Sequence, residues 1–248
     1  MNTHYTIVTV VVFFVLILME LFRPARVYKK SDKVRSYTTN SQVFIINNVV
    51  TYLLQISLVF VIVSSWSPAV SYFSLLPLWL QAVLGVIILD FSIWVWHFLN
   101  HQVPFLWRFH KCHHSERYLN ATSAVRFHLG EIILSVLWKA LTLIIFGIPL
   151  WVFLLSEFLI TLFAAFHHSN IVLPSGVERK LSRLIITPYL HRVHHSERRR
   201  EHDTNFGVIL SWWDYLFKTR CRVEPERIGL AKVKSQNLKR FLIFPWQK

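Results

Sequence analysis

Charge is scarce in this chain, acidic charge above all, and so is cysteine. Only 16% of the 248 residues are charged, where an ordinary soluble domain carries about 25%. Together with 54% hydrophobic residues, this excludes a disordered chain, a collagen-like fibre and a nucleic-acid-binding arm. It leaves a membrane protein of one compact domain. Two cysteines, Cys112 and Cys221, cannot build a disulfide framework, and they give no sign of an oxidising compartment. The 13 acidic residues face 27 Lys and Arg, for a net charge of +14, so positive charge needs a place. Lysine and arginine are themselves missing from 36 to 97.

Apolar sequence fills that gap and recurs beyond it. Apolar runs cover 6–22, 41–65, 76–99 and a pair, 132–146 and 150–166, joined at Gly147-Ile148-Pro149. A spanning helix needs roughly 20 apolar residues. The first three runs meet this, and the shorter pair reads as a re-entrant helical hairpin. The first run has no basic residue before it and no small-residue cleavage site after it, so it reads as an anchor and not a removed signal peptide. Six basic residues follow between Arg23 and Arg35, four lie between Arg108 and Arg126, and sixteen between Arg179 and Lys248. The positive-inside rule then puts 23–40, 97–130 and 167–248 on the cytoplasmic side of a bacterial inner membrane or endoplasmic reticulum, with the N-terminus out. The connectors near Ser67 and Ile148 fall on the far side or deep in the bilayer. The basic surface suits anionic lipid. No nucleic-acid motif accompanies it, so no nucleic-acid partner is expected.

Histidine is the abundant polar residue. All 13 except His4 lie between His97 and His202, on the side that charge alone makes cytoplasmic. His97 and His101 share one helix face. His110, His113 and His114 form an HxxHH group, and His191, His194 and His195 repeat it. The copies run further: HKCHHSER (110–117) against HRVHHSER (191–198). His128 and His168 each stand twenty residues from Ile148, so the hairpin leaves and returns at one depth, and spacing alone does not say which of them ligates. One metal takes four to six ligands, and imidazole suits iron, zinc and copper; ten or more convergent histidines therefore imply two metals. His4 and His202 fall outside this set. HExxH is absent, as are the Glu-x-x-His pairs of soluble di-iron bundles.

Other charges are expected to serve this layer. Asp90, roughly 10 Å below His97 on the same face, is expected to bond a metal-binding histidine or a polar group such as Asn47 or Asn48. Asp203 and Asn205 are expected to lock the second HxxHH element. Lys139 and Glu157, each nine residues from Ile148, are expected to pair across the hairpin, helped by Ser135 or Thr161.

DFSIWVWHFLNHQVPFLWRFHKCHHS (90–115), RFH (126–128), FHHSN (166–170), PYLHRVHHS (188–196), HDTNFG (202–207) and WWDYLF (212–217) resemble the fatty acid hydroxylase superfamily, also called the sterol desaturase family. The likeness runs in order through 85–220. Phe98, Leu129 and Trp94 depart from the usual Arg, Pro and Tyr. The resemblance implies a non-haem di-iron oxidoreductase with two Fe ions (Zn possible as purified) and O2 as co-substrate. It implies ligands at His97, His101, His110, His113, His114, His128, His167, His191, His194 and His195, with His97, His101, His110, His113, His114, His191, His194 and His195 carrying the chemistry.

The expected fold is an all-α integral membrane protein with about three spanning helices, a re-entrant hairpin and a cytoplasmic helical cap holding a dinuclear metal site. It divides into an anchor and basic segment (1–40), a catalytic domain (41–220) and a basic tail (221–248). The expected reaction is O2-dependent hydroxylation or desaturation of an apolar lipid: a sterol, a fatty acyl chain or a relative of these. No GxGxxG, CxxC cluster or haem domain is present, so electrons are expected from an external donor, a ferredoxin or a b-type cytochrome with its reductase. The basic tail offers a docking surface if that donor is acidic. Two rivals are a zinc-dependent membrane hydrolase of the same architecture, separable by oxygen consumption, and a metal transporter, which would need ligands along a path through the bilayer.

Overall fold

The computed structural model describes residues 3–65, 72–234 and 236–247; the expected connector near Ser67 lies outside them. Among the described residues the chain is helical, and its only β contacts are isolated bridges such as Pro24 to Ile171. α1 (Thr3–Phe22) and α2 (Lys30–Ser65) are followed by α3 (Leu78–Gln102) and α4 (Pro104–His114). α5 (Leu129–Phe146) and α6 (Leu150–His168) form the hairpin. Short helices complete the chain: α7 (Ser175–Leu181), α8 (Pro188–His194), α9 (Arg199–His202), α10 (Trp212–Leu216) and α11 (Leu238–Ile243).

Among the described residues, four helices are long and apolar enough to cross a membrane: α1 from His4, α3, α5 and α6. The chain is an integral membrane protein. The hairpin arms extend past their apolar runs to 18 and 19 residues, because α5 begins at Leu129 and α6 continues through both histidines. Length and composition therefore let each arm span, where the apolar runs alone fell short. The run 41–65 is the C-terminal part of α2, continuous with the basic segment from Lys30. α1 leaves Val10, Phe14 and Leu21 at least 60% exposed, a density of bare apolar side chains suited to hydrocarbon.

Local chemistry sets the breaks. Gly147 ends α5 at φ 62°, a left-handed cap that glycine adopts without penalty. Pro149 follows and opens α6. Pro104 and Pro188 start α4 and α8, where a missing N–H costs nothing. Gly85 lets α3 and α6 approach closely, since a Cβ there would overlap Val152. α1 is pinned at its C-terminal end by Glu20, whose carboxylate accepts from Ala121 N at 2.7 Å, Asn170 N at 2.8 Å and the Tyr37 hydroxyl at 3.1 Å.

The Lys139 and Glu157 side chains meet across the hairpin, Nζ to Oε2 at 2.8 Å. The hydroxyls expected to help do not: Ser135 donates to Ile132 O and Thr161 to Glu157 O, each within its own helix. A hydroxyl one turn from a free carbonyl satisfies itself locally. Lys139→Met or Glu157→Gln alone strands one charge in hydrocarbon and is expected to destabilise by roughly 3 kcal/mol; the double replacement is expected to cost less. Denaturant titration in detergent measures this, and additive costs would rule out coupling.

Candidate metal centre

Four helix C-termini deliver the histidines. His97 and His101 lie in the last turns of α3, His110, His113 and His114 at the end of α4, His167 and His168 at the end of α6, and His191 and His194 at the end of α8. Helix C-termini carry partial negative charge, so the meeting point favours a cation before any ring is considered.

The rings sort into two buried groups. Ligand atoms of His97, His101, His110, His114 and His194 lie within 4.8 Å of one another, and those of His113, His168, His191 and His195 do the same. The two HxxHH copies are split reciprocally. The first sends its i and i+4 rings to the five-histidine group and its i+3 ring to the other. The second sends its i+3 ring to the five-histidine group and its i and i+4 rings to the other. Helical geometry explains the split: i and i+4 differ by 40°, while i+3 lies about 60° to the opposite side. Each copy therefore reaches both groups, and the groups adjoin, with the His114 and His195 rings stacked at 4.6 Å.

Fixed tautomers make these rings ligands. The Nδ1–H donates to Phe206 O from His97 (2.8 Å), to Thr204 O from His194 (2.7 Å), to Ala164 O from His168 (2.7 Å) and to Arg126 O from His113 (3.3 Å). His101 donates to Asp203 Oδ1 at 3.1 Å and His110 to Glu131 Oε1 at 2.8 Å. A carbonyl or carboxylate only accepts, so Nδ1 carries a proton, and in a neutral ring Nε2 then keeps its lone pair. The Nε2 atoms of His97, His101, His110 and His194 are buried without a hydrogen-bond partner, as are both nitrogens of His114. In the second group His113 Nε2 and His168 Nε2 stand 3.1 Å apart. Both carry lone pairs and neither a proton, so a cation between them is the arrangement that satisfies both. Burial, reinforced by neighbouring imidazoles, holds His113, His114, His191, His194 and His195 well below the ordinary imidazole range. They are neutral near pH 7, the ligating form. The residues present fit a dimetal site.

One stretch braces much of it. Within 203–208, Asp203 holds His101, the Thr204 carbonyl His194, the Phe206 carbonyl His97, and the Val208 carbonyl accepts from His167 at 3.1 Å. Asn205, at φ 55°, donates to Leu190 O and Cys221 O and accepts from Cys221 N, each at 2.9 Å. The expectation for this segment changes accordingly. Asn205 does tie down α8, but Asp203 orients His101 from the α3 pair and not the second HxxHH element. Two buried carboxylates anchor the stretch in turn. Asp214 accepts from Phe206 N, Gly207 N, Trp94 Nε1 and the Thr219 hydroxyl at 2.7–3.0 Å. Asp90 accepts from Ile209 N, Leu210 N and Trp213 Nε1 at 2.8–3.1 Å. Its partners are thus neither a histidine nor Asn47 and Asn48, which bond Phe127 O and Phe44 O.

The RFH element has separate tasks for its three residues. The Arg126 carbonyl orients His113, and Phe127 stacks on the His113 ring at 4.5 Å. His128 caps α5, accepting from Gly130 N at 3.0 Å, and its Nε2 donates to Leu242 O at 3.1 Å. Both His128 nitrogens are used inside the protein, and the ring lies outside both groups. His167 also lies outside them, its ring 4.1 Å from that of His191, while His168 lies inside. Sequence reasoning did not single out Glu131 or Asp214. Glu131 had one available signal, a lone acid in the first turn of an apolar helix beside the histidine layer. Glu131→Ala is expected to lower metal affinity about 10–100-fold by freeing the His110 ring, with Glu131→Gln milder; competition with a chelator measures both.

Comparison with known proteins agrees with this geometry. Residues 82–219 match the fatty acid hydroxylase family, and the chain belongs to it. It is 35% identical to the ornithine lipid hydroxylase OlsE of Rhizobium tropici over 61% of this chain and 46% of that protein. It is 30% identical to human alkylglycerol monooxygenase over 57% of this chain and 30% of that protein. Against rat cholesterol 25-hydroxylase it is 31% identical, over 60% and 49% respectively. The match thus spans half or less of these relatives. No solved structure matches.

Proposed function

We propose that the chain is an O2-dependent di-iron oxidoreductase that hydroxylates or desaturates a membrane lipid. The reading rests on one observation: two adjoining all-histidine groups, buried, at the end of a cavity that runs down between the long apolar helices α3, α5 and α6. The family and the relatives' names support it. The first iron is assigned to His97, His101, His110, His114 and His194, and the second to His113, His168, His191 and His195. Iron, when bound, supplies dioxygen reduction and hydrogen abstraction from an unactivated C–H bond.

The protein's share is placement. The Nδ1 partners aim the rings, the helix ends offset metal charge, and the apolar cavity brings lipid to the histidines while keeping water out. The proposed topology puts the histidine layer on the cytoplasmic side, α5 and α6 as a re-entrant hairpin, the short helices as a cap and 41–220 as the catalytic domain. A ferredoxin or b-type cytochrome supplies electrons at that side. The histidines cluster at one end of the helices instead of along them, which disfavours a transport path.

The test is iron-reconstituted protein in vesicles of bacterial or microsomal lipid, with a chemical reductant and isotopically labelled O2. Labelled oxygen in a lipid, or a new double bond formed with O2 uptake, supports the proposal. Lipid cleavage without O2 uptake would instead establish a metal hydrolase of the same architecture.

A further inference from the structure

The cavity beside the histidines is polar at its two ends and apolar between. Its volume is about 220 Å3, below the roughly 300–1,000 Å3 of a pocket for a drug-sized molecule. Lys139 and Glu157 line its deep end, and Asn100 lines it beside His97. Along α6 from His168 to Glu157, eleven residues give a length of about 16 Å. Ser135 and Thr161 also line it, but both hydroxyls donate to their own helices and offer no proton to the interior. Below the charged pair, α3 and α6 close on each other at Gly85 and Val152. A space of this volume and length, narrowed at the bottom by that contact, suits one unbranched hydrocarbon chain better than a fused ring system.

Asn100 stands out within it. Its side chain is buried, the residue being 1% exposed, and neither Oδ1 nor Nδ2 has a hydrogen-bond partner among the described residues. An amide carries two donors and one acceptor, and burying them unpaired is costly. It sits one turn from His97 and next to His101, so whatever it binds lies beside the metals. The opposite end selects by exclusion. Lys139 and Glu157 bond each other across the cavity floor, and a methyl terminus pressed between them would separate two charges in hydrocarbon.

We propose that Asn100 binds a hydrogen-bonding group of the substrate, a hydroxyl, ether or carbonyl oxygen, while a single unbranched chain extends from it to the Lys139–Glu157 floor. The substrate class is then a straight-chain amphiphile. The carbon presented to the metals lies close to its polar group, and the floor limits how long the chain can be. This rests on the lipid-oxidation reading above but concerns binding, which can be measured without turnover.

The experiment uses the full chain, metal-loaded, in nanodiscs. Displacement of a fluorescent alkyl probe by straight-chain 1-alkanols, and by alkanes of equal length, is followed over a graded series of lengths. The wild type is expected to favour the alcohol about fivefold, the worth of one hydrogen bond, and to lose affinity beyond a cut-off length. Asn100→Leu erases the preference while alkane affinity stays; Asn100→Ala serves if the leucine variant does not fold. Lys139→Ala/Glu157→Ala moves the cut-off to longer chains and keeps the preference. Equal binding of alcohol and alkane by the wild type, or a preference that survives at position 100, overturns the Asn100 assignment. An unmoved cut-off overturns the floor. If these binding results hold and no lipid is oxidised, the chain site stands and the oxidase reading falls.

Discussion

His191→Ala is expected to leave about one metal ion per chain in place of two, and no turnover. Removing one ring from the four-histidine group leaves three, the fewest protein ligands with which an open catalytic site holds a transition metal. His191 is also the centre of its group. Its Nε2 lies 2.9 Å from His168 Nε2 and 3.1 Å from His195 Nε2, so removing it opens a gap that the others cannot span. His194→Ala takes one ring from five and leaves four. It is expected to retain more metal than His191→Ala while still losing most turnover, because the remaining rings hold the ion off its proper position. Elemental analysis of purified variants, paired with oxygen uptake, separates the two behaviours. Two ions per chain and normal turnover in His191→Ala would remove the second group from the site.

Asp214→Ala is expected to damage the site without touching a ligand. The carboxylate lies at 0% exposure and accepts four hydrogen bonds, two of them from the backbone of Phe206 and Gly207. Burial pushes its carboxyl up, against those four bonds, which pull it down. Alanine leaves the four donors buried and unpaired, at about 1–3 kcal/mol each before relaxation. The loss propagates through 203–208, whose carbonyls and Asp203 hold His97, His101 and His194. Three of the five rings of the first group then lose their orientation together. A fall of at least about 3 kcal/mol in stability and loss of the first-group metal before the second are expected. Asp214→Asn keeps one oxygen for Trp94, Phe206 and Thr219 and gives up only the Gly207 bond, so its effect is smaller. Thermal unfolding and metal content measured across Asp, Asn and Ala check the order. Equal metal content in all three would confine Asp214 to general stability.

What the sequence determined by itself was periodic or compositional. Apolar runs placed helices because hydrocarbon demands internally satisfied backbone over a fixed length. HxxHH spacing put rings on shared helix faces because the α-helix has a fixed pitch. Counting from Gly147-Ile148-Pro149 put Lys139 opposite Glu157 because two antiparallel helices joined by a tight turn keep register. Each inference needed only local geometry.

The tertiary structure decided what local geometry leaves open. It divided each HxxHH copy between two groups, brought His168 into one of them, and used both nitrogens of His128 as a cap and a tether to Leu242. It gave Asp90 to Ile209, Leu210 and Trp213, more than a hundred residues away, and Asp203 to His101. These pairings arise where an irregular segment, 203–210, folds over helix ends, and such a segment has no period from which a partner can be counted. A buried imidazole or carboxylate must find a partner, and the sequence states that need. Which of several equally suitable partners meets it depends on where the helices deliver their ends.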